Sequence, residues 1–187
     1  RVAALEGGAA ALATASGTAA IFYTVVNICG HGDEVVASNK LYGGTFTMFH
    51  TIIREFGITV HFVDPADPEN FEKAINENTR LLFAEVIGNP VLDVADIDAI
   101  AAVAKKHGLP LAVDSTFTTP ALFRPIEHGA HIVVHSLTKW MGGHGTAIGG
   151  IIVDGGTFDW KQEKFRLYNE PDDSYHDLRW AHDLGEL

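Results

Sequence analysis

A serine, a threonine and a lysine follow one another closely in His135-Ser136-Leu137-Thr138-Lys139-Trp140. The apolar run Ile132-Val133-Val134 leads straight into them, and glycines follow in Met141-Gly142-Gly143-His144-Gly145. Residues two apart on extended backbone face the same way, so the hydroxyls of Ser136 and Thr138 can share one anion. A lysine placed where a phosphate is also held suits a phosphorylated aldehyde cofactor joined to it as a Schiff base. Alone, the same residues also describe an exposed lysine at the end of a strand.

Other stretches raise the first reading. Ser16-Gly17-Thr18 stands between a small-residue strand and an apolar helix, where the first backbone N–H groups lack partners and the helix dipole is positive, so an anion fits there. Leu41-Tyr42-Gly43-Gly44-Thr45 puts a tyrosine beside two glycines at a strand-to-helix junction. Its ring can lie flat on a planar ligand or simply pack the loop. Asn89 lies in Gly88-Asn89-Pro90, and Asp114 ends the apolar run that begins at Leu111.

Positioning these residues requires alternating strands and helices. Apolar runs predict strands at 11–15, 34–38, 59–63, 80–86, 111–114, 132–135 and 148–153. Helices are expected at 19–28, from the Tyr42 segment to about 56, at 70–75, and at 96–107, where Ile97, Ile100, Ala101 and Ala104 recur at helical spacing before Gly108-Leu109-Pro110. Strands that are continuous apolar runs belong to an α/β layer, a mostly parallel sheet covered on both faces. Ligands of such sheets bind beyond the carboxyl ends of the strands, and Ser16-Gly17-Thr18, Asn89, Asp114 and Ser136 to Lys139 all fall at such ends. Beyond Asp154 the chain turns polar and aromatic, so 1–153 reads as the core and 154–187 as a segment leading out of it.

The rest of the sequence excludes other chemistries. A net charge of −11 over 187 residues, without a Lys/Arg cluster, disfavours nucleic acid and anionic membranes as partners. No apolar run reaches membrane-spanning length. One cysteine, Cys29, excludes an internal disulfide and fits a reducing, cytoplasmic compartment. His131 and His135 share a strand face but stand about 13 Å apart, too far to chelate one ion, so no metal site is expected. Gly143-His144-Gly145-Thr146-Ala147-Ile148-Gly149 imitates a dinucleotide loop but precedes a strand, and Lys139 lacks the glycine frame of a phosphate-binding P-loop.

Taken in order, Ser16-Gly17-Thr18-Ala19-Ala20, Leu41-Tyr42-Gly43-Gly44-Thr45, Gly88-Asn89-Pro90, Asp114-Ser115-Thr116-Phe117 and Ser136-Leu137-Thr138-Lys139 resemble the Cys/Met-metabolism family of pyridoxal-phosphate enzymes. Within it, His135 to Trp140 and Gly142-Gly143-His144-Gly145-Thr146-Ala147-Ile148-Gly149-Gly150 look most like the O-acetylhomoserine sulfhydrylase branch. The resemblance runs along essentially the whole chain. It implies an aspartate-aminotransferase-like fold (type I) with a seven-stranded sheet, and a homo-oligomer built as a dimer of dimers. It implies pyridoxal 5'-phosphate as cofactor, with an amino-acid substrate and sulfide as small-molecule partners. Lys139 would carry the cofactor and move protons, Asp114 would bind the pyridine nitrogen, and Tyr42 would stack on the ring. Ser16, Gly17, Thr18, Ser136 and Thr138 would hold the phosphate, Asn89 would meet the phenolic oxygen, and Thr116 would join the cofactor-binding set. The implied reaction is γ-replacement on O-acetylhomoserine giving homocysteine, with cystathionine γ-synthase or a β- or γ-lyase as alternatives. A cofactor-binding core or oligomerisation module without catalysis is the alternative of another kind. Ser115 stands where the family often has asparagine, and Gly44 where methionine γ-lyases carry cysteine. The family's N-terminal segment and its C-terminal domain, with the carboxylate-gripping arginine, have no counterpart in these residues.

Overall fold

The computed structural model describes residues 1–184. Seven strands form one sheet in the order β1-β7-β6-β5-β4-β2-β3. They are β1 (Ala10–Thr14), β2 (Glu34–Ser38), β3 (Thr59–Val63), β4 (Thr79–Glu85), β5 (Leu111–Asp114), β6 (Ile132–Ser136) and β7 (Gly150–Asp154). From β3 through β2, β4 and β5 to β6 every pairing is parallel, whereas β7 runs antiparallel to both β6 and β1. The reversal at β7 follows from its connection. A parallel return needs a crossover layer, usually a helix, and residues 137–149 supply only glycine-rich turns.

The helices are α1 (Val2–Glu6), α2 (Gly17–Ile28), α3 (Gly43–Thr47), α4 (Ile53–Glu55), α5 (Glu69–Ala74), α6 (Ile97–Lys106), and the single turns α7 (Thr119–Leu122) and α8 (Arg166–Asn169). Because successive strand residues point to opposite faces, an unbroken apolar run fills two cores at once. Leu81, Phe83, Ala112, Ile132 and Val134 face α2 and the α3 region. Leu82, Ala84, Leu111, Val113 and Val133 face α5 and α6. The sheet is therefore covered on both sides, as the apolar runs require.

Local signals set the helix ends. Ser16 accepts the Ala19 N–H at 3.0 Å, so α2 starts at Gly17, earlier than its apolar run suggests. Asp96 caps α6 in the same way through Ala99 at 3.0 Å, and such caps contribute about 1 kcal/mol each. The single helix expected after Tyr42 is broken in the middle. Met48–Ile52 is a π-helical stretch between α3 and α4, and its wider turn buries Met48, Phe49 and Ile53 together.

Residues after β7 do not hang free of the core. Phe158, Trp160 and Tyr168 pack against the α2-side cluster, where Phe165 is buried, and Tyr168 accepts a hydrogen bond from Asn27 at 2.6 Å. Of the 154–187 segment, residues 185–187 lie outside the described part.

Candidate functional site

Strand parity decides which side chains meet. Glu85 follows Phe83 on β4, Asp114 follows Ala112 on β5 and Ser136 follows Val134 on β6, so all three stand on the α2 face. They also end parallel strands at the same edge of the sheet. β1, antiparallel to β7, runs the same way as β6 and delivers Ser16-Gly17-Thr18 to that edge. The result is a cavity of about 610 Å³ at the carboxyl ends. Ser16, Gly17, Thr18, Tyr42, Asn89, Asp114, Thr116, Ser136, Thr138 and Lys139, the residues singled out in the sequence, all line it.

Close approach makes two glycines necessary. A Cβ on Gly17 would lie 2.6 Å from Ser136 Cβ, and one on Gly150 would lie 2.0 Å from the Ser16 carbonyl oxygen. The start of α2 is thereby pressed against the end of β6. Since the Ser16 hydroxyl caps Ala19, the Gly17 and Thr18 N–H groups of the first turn remain directed at the cavity edge without intrahelical acceptors.

The hydroxyls differ in what they can still do. Thr138 Oγ1 donates to the Gly149 carbonyl at 3.2 Å and accepts the Gly149 N–H at 3.1 Å, so its one proton is engaged. Ser136 Oγ has no hydrogen-bond partner among the described residues. Thr116 ties two strands' ends together, its Oγ1 accepting the Ser136 N–H at 2.9 Å and its own N–H donating to Asp114 Oδ1 at 2.8 Å. Ser115 is buried and shares a 2.6 Å hydrogen bond with Thr118.

Loss of solvation at the cavity floor pushes the Asp114 carboxyl up, opposed by the hydrogen bonds from Thr116 and by His135. Beside it stands Glu85, paired with Asp114 in the register of β4 and β5 and absent from the residues chosen by sequence. Its signal was present, since it is a charged residue closing a buried apolar strand, the same pattern that singled out Asp114. Lys139 is exposed, and among the described residues its amine has no ion-pair partner. The histidines go separate ways. His128 meets Asp98 at 3.0 Å, His131 accepts the Leu111 N–H at 3.0 Å, and His135 meets the buried Glu6 of α1 at 2.5 Å on the opposite face of the sheet.

A mostly parallel α/β sheet whose strand ends gather a free lysine, a carboxylate floor and a helix N-terminus defines an anion- and amine-handling enzyme site. The chain belongs to the Cys/Met metabolism PLP-dependent enzyme family, whose sequence profile matches residues 1–179. It is 56% identical over 187 residues to O-acetyl-L-homoserine sulfhydrylase of Leptospira meyeri, covering 100% of this chain and 42% of that protein. It is 48% identical over 190 residues to homocysteine synthase of Schizosaccharomyces pombe, covering 100% of this chain and 44% of that protein. Among solved structures, an O-acetylhomoserine (thiol)-lyase from Campylobacter jejuni that carries N'-pyridoxyl-lysine-5'-monophosphate superposes with a TM-score of 0.93 at 39% identity. That match covers 96% of this chain and 45% of the other. The chain thus spans less than half the length of the relatives it matches.

The residues present fit the family's cofactor. A helix N-terminus and the Ser136 hydroxyl suit a phosphate, the unpaired Lys139 amine suits an aldehyde, and Asp114 suits a protonated ring nitrogen.

Proposed function

We propose that the protein carrying this chain is a pyridoxal-phosphate-dependent transferase acting on O-acetylhomoserine. In the reaction the Cγ–O bond breaks, acetate leaves, and sulfide forms the new Cγ–S bond of homocysteine. Hydrogen sulfide's second proton ends on acetate or solvent. The observation that carries the reading is the convergence of Lys139, Asp114 and the α2 N-terminus on one cavity, in a chain whose full length is alike to enzymes of this name.

Bound pyridoxal phosphate supplies an acceptor for the electron pair left when a substrate C–H bond breaks. The chain's own residues do the rest. Lys139 would carry the cofactor, and its free amine would move protons at the substrate's α- and β-carbons. Asp114 holds its negative charge against the ring nitrogen and keeps that nitrogen protonated. Tyr42 covers the ring, and Asn89 donates to the phenolic oxygen. The Gly17 and Thr18 N–H groups, with Ser16 shaping the turn and Ser136 donating its hydroxyl, hold the phosphate. Thr138 joins them only by turning its proton away from Gly149, and Thr116 keeps Asp114 and Ser136 in place.

None of the described arginines lines the cavity. Arg80 pairs with Asp33 at 3.2 Å, Arg124 with Glu127 at 2.9 Å and Arg179 with Asp183 at 3.0 Å. The substrate carboxylate, which arginine binds best in a bidentate pair, finds no such partner among the described residues lining the cavity. A homo-oligomer, a dimer of dimers in the cytoplasm, belongs with this reading. Supplied with O-acetylhomoserine, the complete protein is expected to turn over sulfide at least about tenfold faster, by kcat/KM, than cysteine, a difference of about 1.4 kcal/mol in the transition state. Preferential formation of cystathionine from cysteine would move it to the synthase branch, and release of methanethiol from methionine to the lyases.

A second expectation concerns the phosphate end. Gly17→Ala forces the start of α2 away from Ser136, since the added Cβ meets Cβ at 2.6 Å. Cofactor dissociation constants should rise about tenfold, the loss of one or two charge-assisted hydrogen bonds. An unchanged constant would show that the helix terminus does not hold the phosphate.

A further inference from the structure

The cavity contains a carboxyl without a task in the reading above. Glu85 closes β4 in register with Asp114, is 6% exposed, and lines the cavity. Its Oε1 accepts the backbone N–H of Tyr42 at 2.7 Å. Tyr42 stands immediately before α3, and its ring lies across Gly44, where a Cβ would come within 2.5 Å of Tyr42 Cε1. The tyrosine is thus held at two points, its peptide by the sheet and its ring by the space a glycine leaves. We propose that Glu85 is a positioning residue, anchoring the Tyr42 segment to the sheet beside Asp114 and so setting where the tyrosine ring meets the cofactor. The inference rests on the pyridoxal-phosphate reading.

The charge balance of the floor supports it. Two carboxyls side by side in a poorly solvated place do not both ionise at neutral pH. Burial first, and then the charge of Asp114, push Glu85 up to about 8 against the pull of the Tyr42 N–H. Burial pushes Asp114 up as well, opposed by the hydrogen bonds of Thr116 and by His135 behind the sheet. The other groups at this end are the Tyr42 phenol and Lys139, while Lys40 turns to Asp93 at 3.8 Å. Whichever of the two holds a proton, Glu85 Oε1 offers the Tyr42 N–H an acceptor at 2.7 Å. A glutamine amide can do the same, and a methyl group cannot.

The test uses the complete protein, titrated with pyridoxal phosphate and followed by visible absorption. Glu85→Ala is expected to raise the dissociation constant about tenfold, the cost of losing one buried acceptor. Glu85→Gln should recover most of that loss. On a Tyr42→Ala background Glu85→Ala should add little, because the two act as one unit. Hydrogen exchange of the peptide spanning 41–46 gives a readout that needs no alanine variant, with the Tyr42 amide protected in the wild type and in Glu85→Gln. Wild-type affinity in Glu85→Ala, equal weakness of the Gln and Ala variants, an undiminished Ala effect without Tyr42, or a freely exchanging Tyr42 amide would each overturn the proposal. Failure of the wild type itself to bind pyridoxal phosphate would instead overturn the functional reading beneath it.

Discussion

Borohydride reduction of the cofactor-loaded complete protein, followed by peptide mapping, is expected to place the pyridoxyl mass on Lys139. Lys139 is the one lysine among the residues lining the cavity, and it follows directly on Ser136 and the β6 strand end. Lys40, the next candidate along the rim, is engaged by Asp93 at 3.8 Å. On the proposed reading, Lys139→Ala would remove both the point of attachment and the group that moves protons. Since a positioned acid or base is worth about 10²–10⁴ in rate, turnover should fall by at least about 10³-fold while the fold survives, because an exposed side chain is lost. A pyridoxyl mass on another lysine with Lys139 bare, or an alanine variant retaining a tenth of wild-type turnover, would sink the assignment.

The second large effect is expected at Asp114. Asp114→Asn keeps the shape of the side chain and can still accept the Thr116 N–H, but it carries no charge. A carboxylate about 4 Å from a protonated ring nitrogen, at an effective dielectric near 20, contributes about 4 kcal/mol. That corresponds to about three pKa units at the nitrogen, so the ring in the asparagine variant is largely unprotonated at neutral pH. Turnover of the complete protein should drop by about 10²–10³-fold, with cofactor binding weakened far less. The two quantities separate cleanly, one from steady-state kinetics and one from a cofactor titration. Activity within a few-fold of wild type would remove Asp114 from this role.

What the sequence displayed, and what it concealed, follow from the range of each interaction. β2, β3 and β5 lie where their apolar runs put them; β2 and β5, buried on both faces, write most of their length in Val, Leu and Ala, while β3 at the sheet edge is only half-buried. The ends of β1, β4, β6 and β7 differ by a residue or two, since pairing registers and not local preference decide which terminal residues join the ladder. The π-helical stretch at Met48–Ile52 arises from packing between elements, and no periodicity announces it. The residues around the cavity were legible because each sits beside a glycine, a strand end or a helix start. Glu85 was missed for a different reason. Its partner is a peptide N–H forty-three residues earlier in the chain, and only the folded sheet brings the two together. Of the aromatic residues after Asp154, which read as surface, Phe158, Trp160, Phe165 and Tyr168 lie on the α2-side core, as burial of rings of that size favours, while Tyr175 and Trp180 are exposed.

The position of β1 carries a consequence for the order in which the molecule is made. Ala10 pairs with Asp154 and Thr14 with Gly150, so β1 finds its place only when β7, the strand furthest from it along these residues, is available. Until then the stretch that becomes the start of α2 has no Ser136 to rest against, and the two halves of the cavity rim stay apart. Local strands and helices between them can condense early, but closing this longest loop is slow, as contacts of high sequence separation are. A nascent chain stopped short of residue 150 leaves the edge of β6 open as a template for wrong pairing. The binding pocket is therefore a late event of folding, and its completion registers that β1 and β7 have been correctly joined at one edge of the sheet.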